Sequence, residues 1–154
     1  MNWFLKIITN PFLVTGVLAW TVAQVLKTFI HWYIYKKFDF LRLFGDGGMP
    51  SGHSATVTSL AIFSALAFGG DSFEFAVTAI LAIVVCHDAM GVRLETGKQA
   101  IVINELVKAF NVLTSQELSE EVKLKEFVGH TPIQVIAGIL LGALTAVFSY
   151  FVIF

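Results

Sequence analysis

Four stretches of this chain, at about 12–35, 51–68, 72–92 and 131–154, hold only three charged residues between them: Lys27, Glu74 and Asp88. Each is long enough, or nearly so, to cross a bilayer, which takes roughly 20 apolar residues per helix. A backbone in lipid must satisfy its own polar groups, so such runs fold as helices. The rest of the composition agrees: 56% of residues are hydrophobic and 14% charged, against about 25% charged in ordinary soluble domains. The expected fold class is an all-α integral membrane protein of about four transmembrane helices plus short interfacial or amphipathic helices, in a single membrane domain over 1–154. The net charge of −1 gives no reason to expect a nucleic-acid partner.

The N-terminus, MNWFLKIITNPF, has no convincing small-residue cleavage site and is not read as a removable signal. Residues 1–9 are expected to form a short interfacial helix anchored by Trp3 and Phe4. The lone cysteine, Cys86, lies in an apolar run and is read as packing. Between the second and third runs lies only Gly69-Gly70-Asp71, a tight turn with Asp71 or Ser72 as the helix cap. The connection over about 94–127 carries Ile101, Ile103, Leu106, Phe110 and Leu113 at near-helical spacing. It reads as an amphipathic helix, at the membrane surface or tucked beneath the bundle. Thr114 with Glu117 suggests a cap for a second short helix.

With four spans, the first-to-second and third-to-fourth connections share one face of the membrane. They hold Lys36, Lys37 and Arg42, and Arg93, Lys98, Lys108, Lys123 and Lys125, while the opposite face has Lys6. By the positive-inside rule the rich face is cytoplasmic, and the expected location is a cell membrane. Three polar clusters meet on that face: GGMPSGH opens the second run, HDAMGVR closes the third and VGHTP opens the fourth. One assembled site explains that convergence.

The chemistry of each cluster fits phosphate. A helix N-terminus has unpaired N–H groups and a partial positive charge, and so attracts anions. In PSGH, Pro50 is shaped to start a helix, Ser51 can cap it or donate a hydrogen bond, Gly52 permits close approach and His53 offers a proton near neutral pH. GMPSG is not the G-x-S-x-G of a serine-hydrolase elbow and follows no strand. In GHTP, Thr131 suits an N-cap and Pro132 the first turn. His130 then lies beside a second positively polarised end, which disfavours the imidazolium and keeps the ring nucleophilic. His87 and Asp88 end an apolar run, where ionisable groups are functional candidates; Asp88 alternatively pairs with Arg93 as a structural link. Arg93 and Lys98 are candidate clamps on phosphate oxygens. Gln24, Lys27 and His31 form a polar stripe expected to face the bundle, with snorkelling as the alternative for Lys27. Gly138-x-x-x-Gly142 suggests close helix packing.

AQVLK at 23–27, GGMPSGHSA at 47–55, HDAMGVRLETGKQA at 87–100 and GHTPIQVIAGILLG at 129–142 together resemble a known superfamily. It is that of the type 2 phosphatidic acid phosphatases, related to vanadium-dependent haloperoxidases, and the match is closest to its small divergent bacterial and plastid branch. The resemblance implies metal-independent hydrolysis, with no cofactor, of a phosphate ester or anhydride, typically on a lipid. His53 would protonate the leaving group, His130 would attack phosphorus to form a phosphohistidine, and Ser51 and Gly52 would hold phosphoryl oxygens. Two departures stand out. The superfamily's first signature places six residues between Lys and Arg-Pro, whereas Lys36 and Arg42 enclose five and Leu43 follows. In the third signature, Leu124 stands at the arginine position and Gln134 at the aspartate position. A neutral amide orients a histidine but supports its imidazolium less than a carboxylate does. Replacement is therefore expected, with Asp88 supporting His130, Arg93, Lys98 and Lys27 supplying positive charge, and Gln24, His87, Gln134 and Thr131 in supporting positions. The alternative is a catalytically weak or inactive lipid-phosphate binding or transport protein. The expected partner is a membrane lipid, such as phosphatidylglycerophosphate, phosphatidate or an isoprenoid phosphate or pyrophosphate, and a homodimer is possible.

Overall fold

The structure, a computed structural model, describes residues 3–36, 40, 47–114, 124 and 129–154. These form α1 (Trp3–Ile8), α2 (Pro11–Tyr35), α3 (Gly52–Phe68), α4 (Phe73–Met90), α5 (Val92–Thr114) and α6 (Pro132–Phe148), which runs on into a π-helical turn, Ser149–Ile153. The four expected runs thus become α2, α3, α4 and α6. Among the described residues three helical stretches are long and apolar enough to cross a membrane, and α3 is a shorter apolar helix. Its 17 residues span about 25 Å, a little under the hydrocarbon thickness.

Helix α3 sits in the middle, packed against α2, α4 and α6. Its sequence explains the position. It is apolar on all sides rather than striped, and its buried residues are mostly small: Gly52, Ser54, Ala55, Thr58, Ser59, Ala61 and Ser64. Without a hydrophobic drive between helices in lipid, small residues gain stability by letting backbones approach. The neighbours present matching small faces, with Gly16, Ala19 and Ala23 on α2 and Gly138 and Gly142 on α6. A Cβ added at Gly138 would lie 2.5 Å from the Ser51 carbonyl oxygen, and one at Gly142 would strike the Ala55 carbonyl. The Gly138-x-x-x-Gly142 expectation is therefore met at the α3–α6 seam. Cys86 lies in the core with Val57, Ala89 and Val135, as packing. Large apolar side chains point outward instead, with Ile83 64% and Leu144 70% exposed. So apolar an outer surface suits lipid, not water.

The caps define the helix ends. Asn10 Oδ1 accepts from the N–H of Phe12 and Leu13, and Pro11 opens α2. At the short turn the cap is Ser72 rather than Asp71: its Oγ accepts from Phe75 N–H at 3.2 Å and donates to the Gly69 carbonyl at 2.7 Å. Pro50 precedes the Ser51 cap and so lies outside the first turn of α3.

Helix α5 follows Gly91 directly and starts two residues before the amphipathic connection expected at 94. It is not tucked beneath the bundle. Leu106 and Leu113 are 64% and 83% exposed, and Ile101, Ile103 and Phe110 are exposed with them. The covered residues are Gly97, Ala100 and Asn104, a small, polar strip. Asn104 donates its Nδ2 to the Leu124 carbonyl and accepts from Leu124 N–H through Oδ1, both at 3.0 Å. The large side chains thus face away from protein, as in an interfacial helix. The second short helix expected beyond Thr114 lies outside the described residues, as do Lys37, Arg42, Lys123 and Lys125.

Candidate functional site

Two backbone hydrogen bonds join the three polar clusters. Ser51 N–H donates to the Gln134 carbonyl at 3.0 Å, tying the mouth of α3 to the mouth of α6. His130 N–H donates to the Ala89 carbonyl at 3.0 Å, tying the loop before α6 to the end of α4. Gly129 makes the second link possible. Its φ is +89°, which favours glycine, and a Cβ there would collide with the backbone of Arg93 and Leu94.

This framework brings His53 and His130 together, with ring centroids 6.4 Å apart and planes at 57°. One small tetrahedral group can reach both rings across such a gap. His130 is 2% exposed, whereas His53 is exposed. The approach to the pair is therefore from the His53 side.

Gln134 holds His130. As the third residue of α6 it reaches back so that Oε1 accepts from Thr131 N–H at 3.1 Å, one half of a capping box. The same Oε1 lies 3.3 Å from His130 Nδ1. The backbone N–H can only donate, so it fixes which end of the amide faces the loop. An oxygen facing Nδ1 requires the proton there, an assignment made from the hydrogen-bond network. The tautomer so assigned carries its ring lone pair on Nε2. Gln134 thus supplies the orientation that a carboxylate gives elsewhere, without its charge.

Ser51 is fully buried and caps α3, accepting from Ser54 N–H at 3.3 Å and from Ser54 Oγ at 3.0 Å. With both acceptor positions used, its own O–H remains to donate. The N–H groups of Gly52 and His53, at the first turn of α3, have no partner among the described residues. Trp20 packs over Gly52, where an added Cβ would sit 3.4 Å from its ring. Lys27 is 4% exposed, and its stem lies under Gly48, whose φ is +102°. Lys27 therefore does not snorkel to the membrane surface. Gln24, also buried, lies one helical turn away on the same face, its Oε1 without a partner among the described residues. His31 stacks instead on Tyr35, at 4.6 Å.

Other expected members stand apart. Asp88 does not support His130; it binds Arg93, Oδ2 to Nε, at 2.7 Å. Both side chains are about half exposed, at 43% and 49%. The five-residue spacing and the bend at Gly91 bring Arg93 to Asp88, while Gln134 already occupies Nδ1 of His130. Lys98 pairs with exposed Glu95 at 2.6 Å rather than with the His pair. His87 is exposed, its ring makes no hydrogen bond among the described residues, and its backbone carbonyl accepts from Gly91 N–H. Sequence reasoning missed Ser54, Trp20 and Gly48. The serine directly after PSGH was a readable signal for the first; the other two are long-range packing partners with no local mark.

Residues 8–145 match the model of the divergent PAP2 family. The chain belongs to that family. A relative that supports it is the uncharacterised membrane protein YuiD of Bacillus subtilis (strain 168), 42% identical over 156 residues, which cover 96% of this chain and 99% of that one. No solved structure matches the chain. Family membership, the apolar helices and the membrane-protein relative make this a multi-pass, PAP2-like membrane protein.

A prediction follows for the residue that departs most from the superfamily pattern. On the phosphohistidine reading proposed below, Gln134→Leu removes the acceptor from Nδ1 and is expected to lower turnover by about 10- to 100-fold, as loss of an orienting partner commonly does. Gln134→Glu keeps the capping geometry and adds charge. A carboxylate beside the ring stabilises the imidazolium, so more base is needed to free the nucleophile. The acid limb of the kcat/KM profile is expected to move to higher pH in that variant. An unmoved limb would separate Gln134 from His130 in the mechanism.

Proposed function

We propose that the protein is an integral-membrane phosphatase that hydrolyses a lipid phosphate or pyrophosphate through a phosphohistidine at His130. The observation that carries this reading is the 6.4 Å approach of the His53 and His130 rings from two separate helix mouths. In the first step His130 Nε2 attacks phosphorus, the P–O bond to the leaving group breaks, and protonated His53 gives that oxygen its proton. In the second, now-neutral His53 takes a proton from water, the hydroxide attacks phosphorus and the P–N bond breaks. Inorganic phosphate leaves, and both histidines return to their starting states. The Ser51 hydroxyl, the N–H groups of Gly52 and His53, and Lys27 stabilise the phosphoryl oxygens; phosphoryl transfer depends mainly on such positioning and charge. The cation-rich connections favour a cytoplasmic site face on the cell membrane, and so lipids made on that leaflet.

A second reading, a lipid-phosphate binder or transporter without turnover, is favoured by two features. Arg93 is committed to Asp88, and His130 has an amide where a carboxylate would support its charge. Purified protein incubated with phosphatidate, phosphatidylglycerophosphate and isoprenoid phosphates and pyrophosphates decides between the two. The phosphatase reading expects free phosphate, suppressed by vanadate as a mimic of five-coordinate phosphorus. Saturable lipid binding with no phosphate released would establish the binder instead.

A further inference from the structure

A groove of about 350 Å³ runs between α2, α3 and α4, with His53 at one end and Gly16, Val17, Trp20, Val57 and Val85 along its walls. Thr56 is the remaining lining residue, and its hydroxyl donates to the Gly52 carbonyl at 2.9 Å. The walls present almost no polar atom. The groove is open toward the lipid-facing surface, where Val17 is 54% exposed. It therefore starts at the proposed leaving-group acid and continues as hydrocarbon, and His130 is not among its lining residues.

We propose that this groove holds the hydrocarbon chain of the leaving alcohol, and that the preferred substrate is a phosphate monoester whose chain begins at the ester carbon, a long-chain alkyl or isoprenyl phosphate. This rests on the phosphatase reading. The reasoning concerns where polarity falls along the substrate. In a glycerophospholipid, two ester carbonyls follow the phosphate within a few bonds. Here they would enter a groove whose walls have almost nothing to donate to them, and an unmatched carbonyl costs about tenfold or more in affinity. A chain alcohol has only methylene or isoprene units at that position, which gain from leaving water.

The test compares three substrates with the purified full-length protein: hexadecyl phosphate, dioleoyl phosphatidate and butyl phosphate. Hexadecyl phosphate is expected to exceed phosphatidate by at least about tenfold in kcat/KM. Val17→Trp, at an exposed position on the groove wall, fills the groove without touching the buried α2–α3 seam. It should raise KM for hexadecyl phosphate and leave butyl phosphate turnover unchanged. Phosphatidate hydrolysed as well as hexadecyl phosphate, or equal losses on the long and short esters, would overturn the proposal while the phosphatase reading stands. If no ester is hydrolysed, that reading fails, and a hexadecyl phosphate bearing a mid-chain diazirine tests the groove alone. Photolabel on the groove walls, lost in Val17→Trp, supports the assignment; label elsewhere, or none, overturns it.

Discussion

His130→Ala is expected to lower phosphate release by at least about a thousandfold, the scale on which loss of a covalent nucleophile is felt. The fold should survive. The backbone bond from His130 N–H to the Ala89 carbonyl ties this loop to the bundle, and alanine retains it. Gln134 also keeps its bond to Thr131 N–H. A thermal melt in detergent checks that the loss is chemical rather than structural. The partner substitution, His53→Ala, should depend on the leaving group. An alkyl alkoxide needs the proton, so turnover of a lipid ester should fall by about 100- to 10,000-fold. An aryl phosphate such as p-nitrophenyl phosphate leaves without it and should lose far less in the first step, read as the single-turnover release of the alcohol or phenol, because the base role of His53 falls only on the second step. Equal losses on both esters would take the general-acid role away from His53.

The largest expected effect on stability lies away from the histidines. Gly142→Leu places a side chain where the Ala55 carbonyl already sits, and backbone cannot swing aside as a flexible side chain can. α3 and α6 must separate, at a cost of about 3 kcal/mol or more. The separation also endangers the bond from Ser51 N–H to the Gln134 carbonyl at the same seam, and with it the approach of the two rings. Stability and turnover should therefore fall together in this variant. Gly70→Ala is the control. A Cβ there meets nothing within 4 Å, so the melt should shift little. A Gly142→Leu protein as stable as the control would show that the seam is not as tight as described.

The two variants touch different layers of what the sequence encodes. The helical runs were legible because lipid leaves a helix few alternatives, and the caps at Ser51, Ser72 and Thr131 mark their starts. The convergence of the three polar clusters was legible from counting spans. The pairing of individual charges was less so. Asp88 had two neighbours of suitable chemistry, Arg93 nearby in sequence and His130 across the bundle, and linear spacing does not rank them. Lys98 had Glu95 three residues before it, a common helical pair, and that pair forms. The role of Gln134 was present in its spacing, three residues after an N-cap and four after a histidine, although the position was first read as a lost aspartate. For α5, near-helical spacing of apolar residues does not say whether the covering phase is protein or lipid, and the structure turns the small Asn104 face inward instead. The packing of Trp20 on Gly52 and of Lys27 beneath Gly48 has no local signature, because it joins segments more than twenty residues apart.

Most direct is a test for the covalent intermediate. The full-length protein is mixed with a lipid phosphate radiolabelled in its phosphoryl group and quenched in alkali, where a phosphohistidine survives, and the label is mapped by mass spectrometry. The account predicts label on His130 alone, absent from His130→Ala and discharged as phosphate when the reaction is chased with unlabelled lipid. Phosphate release with no labelled histidine, or with the label on any other residue, would contradict it.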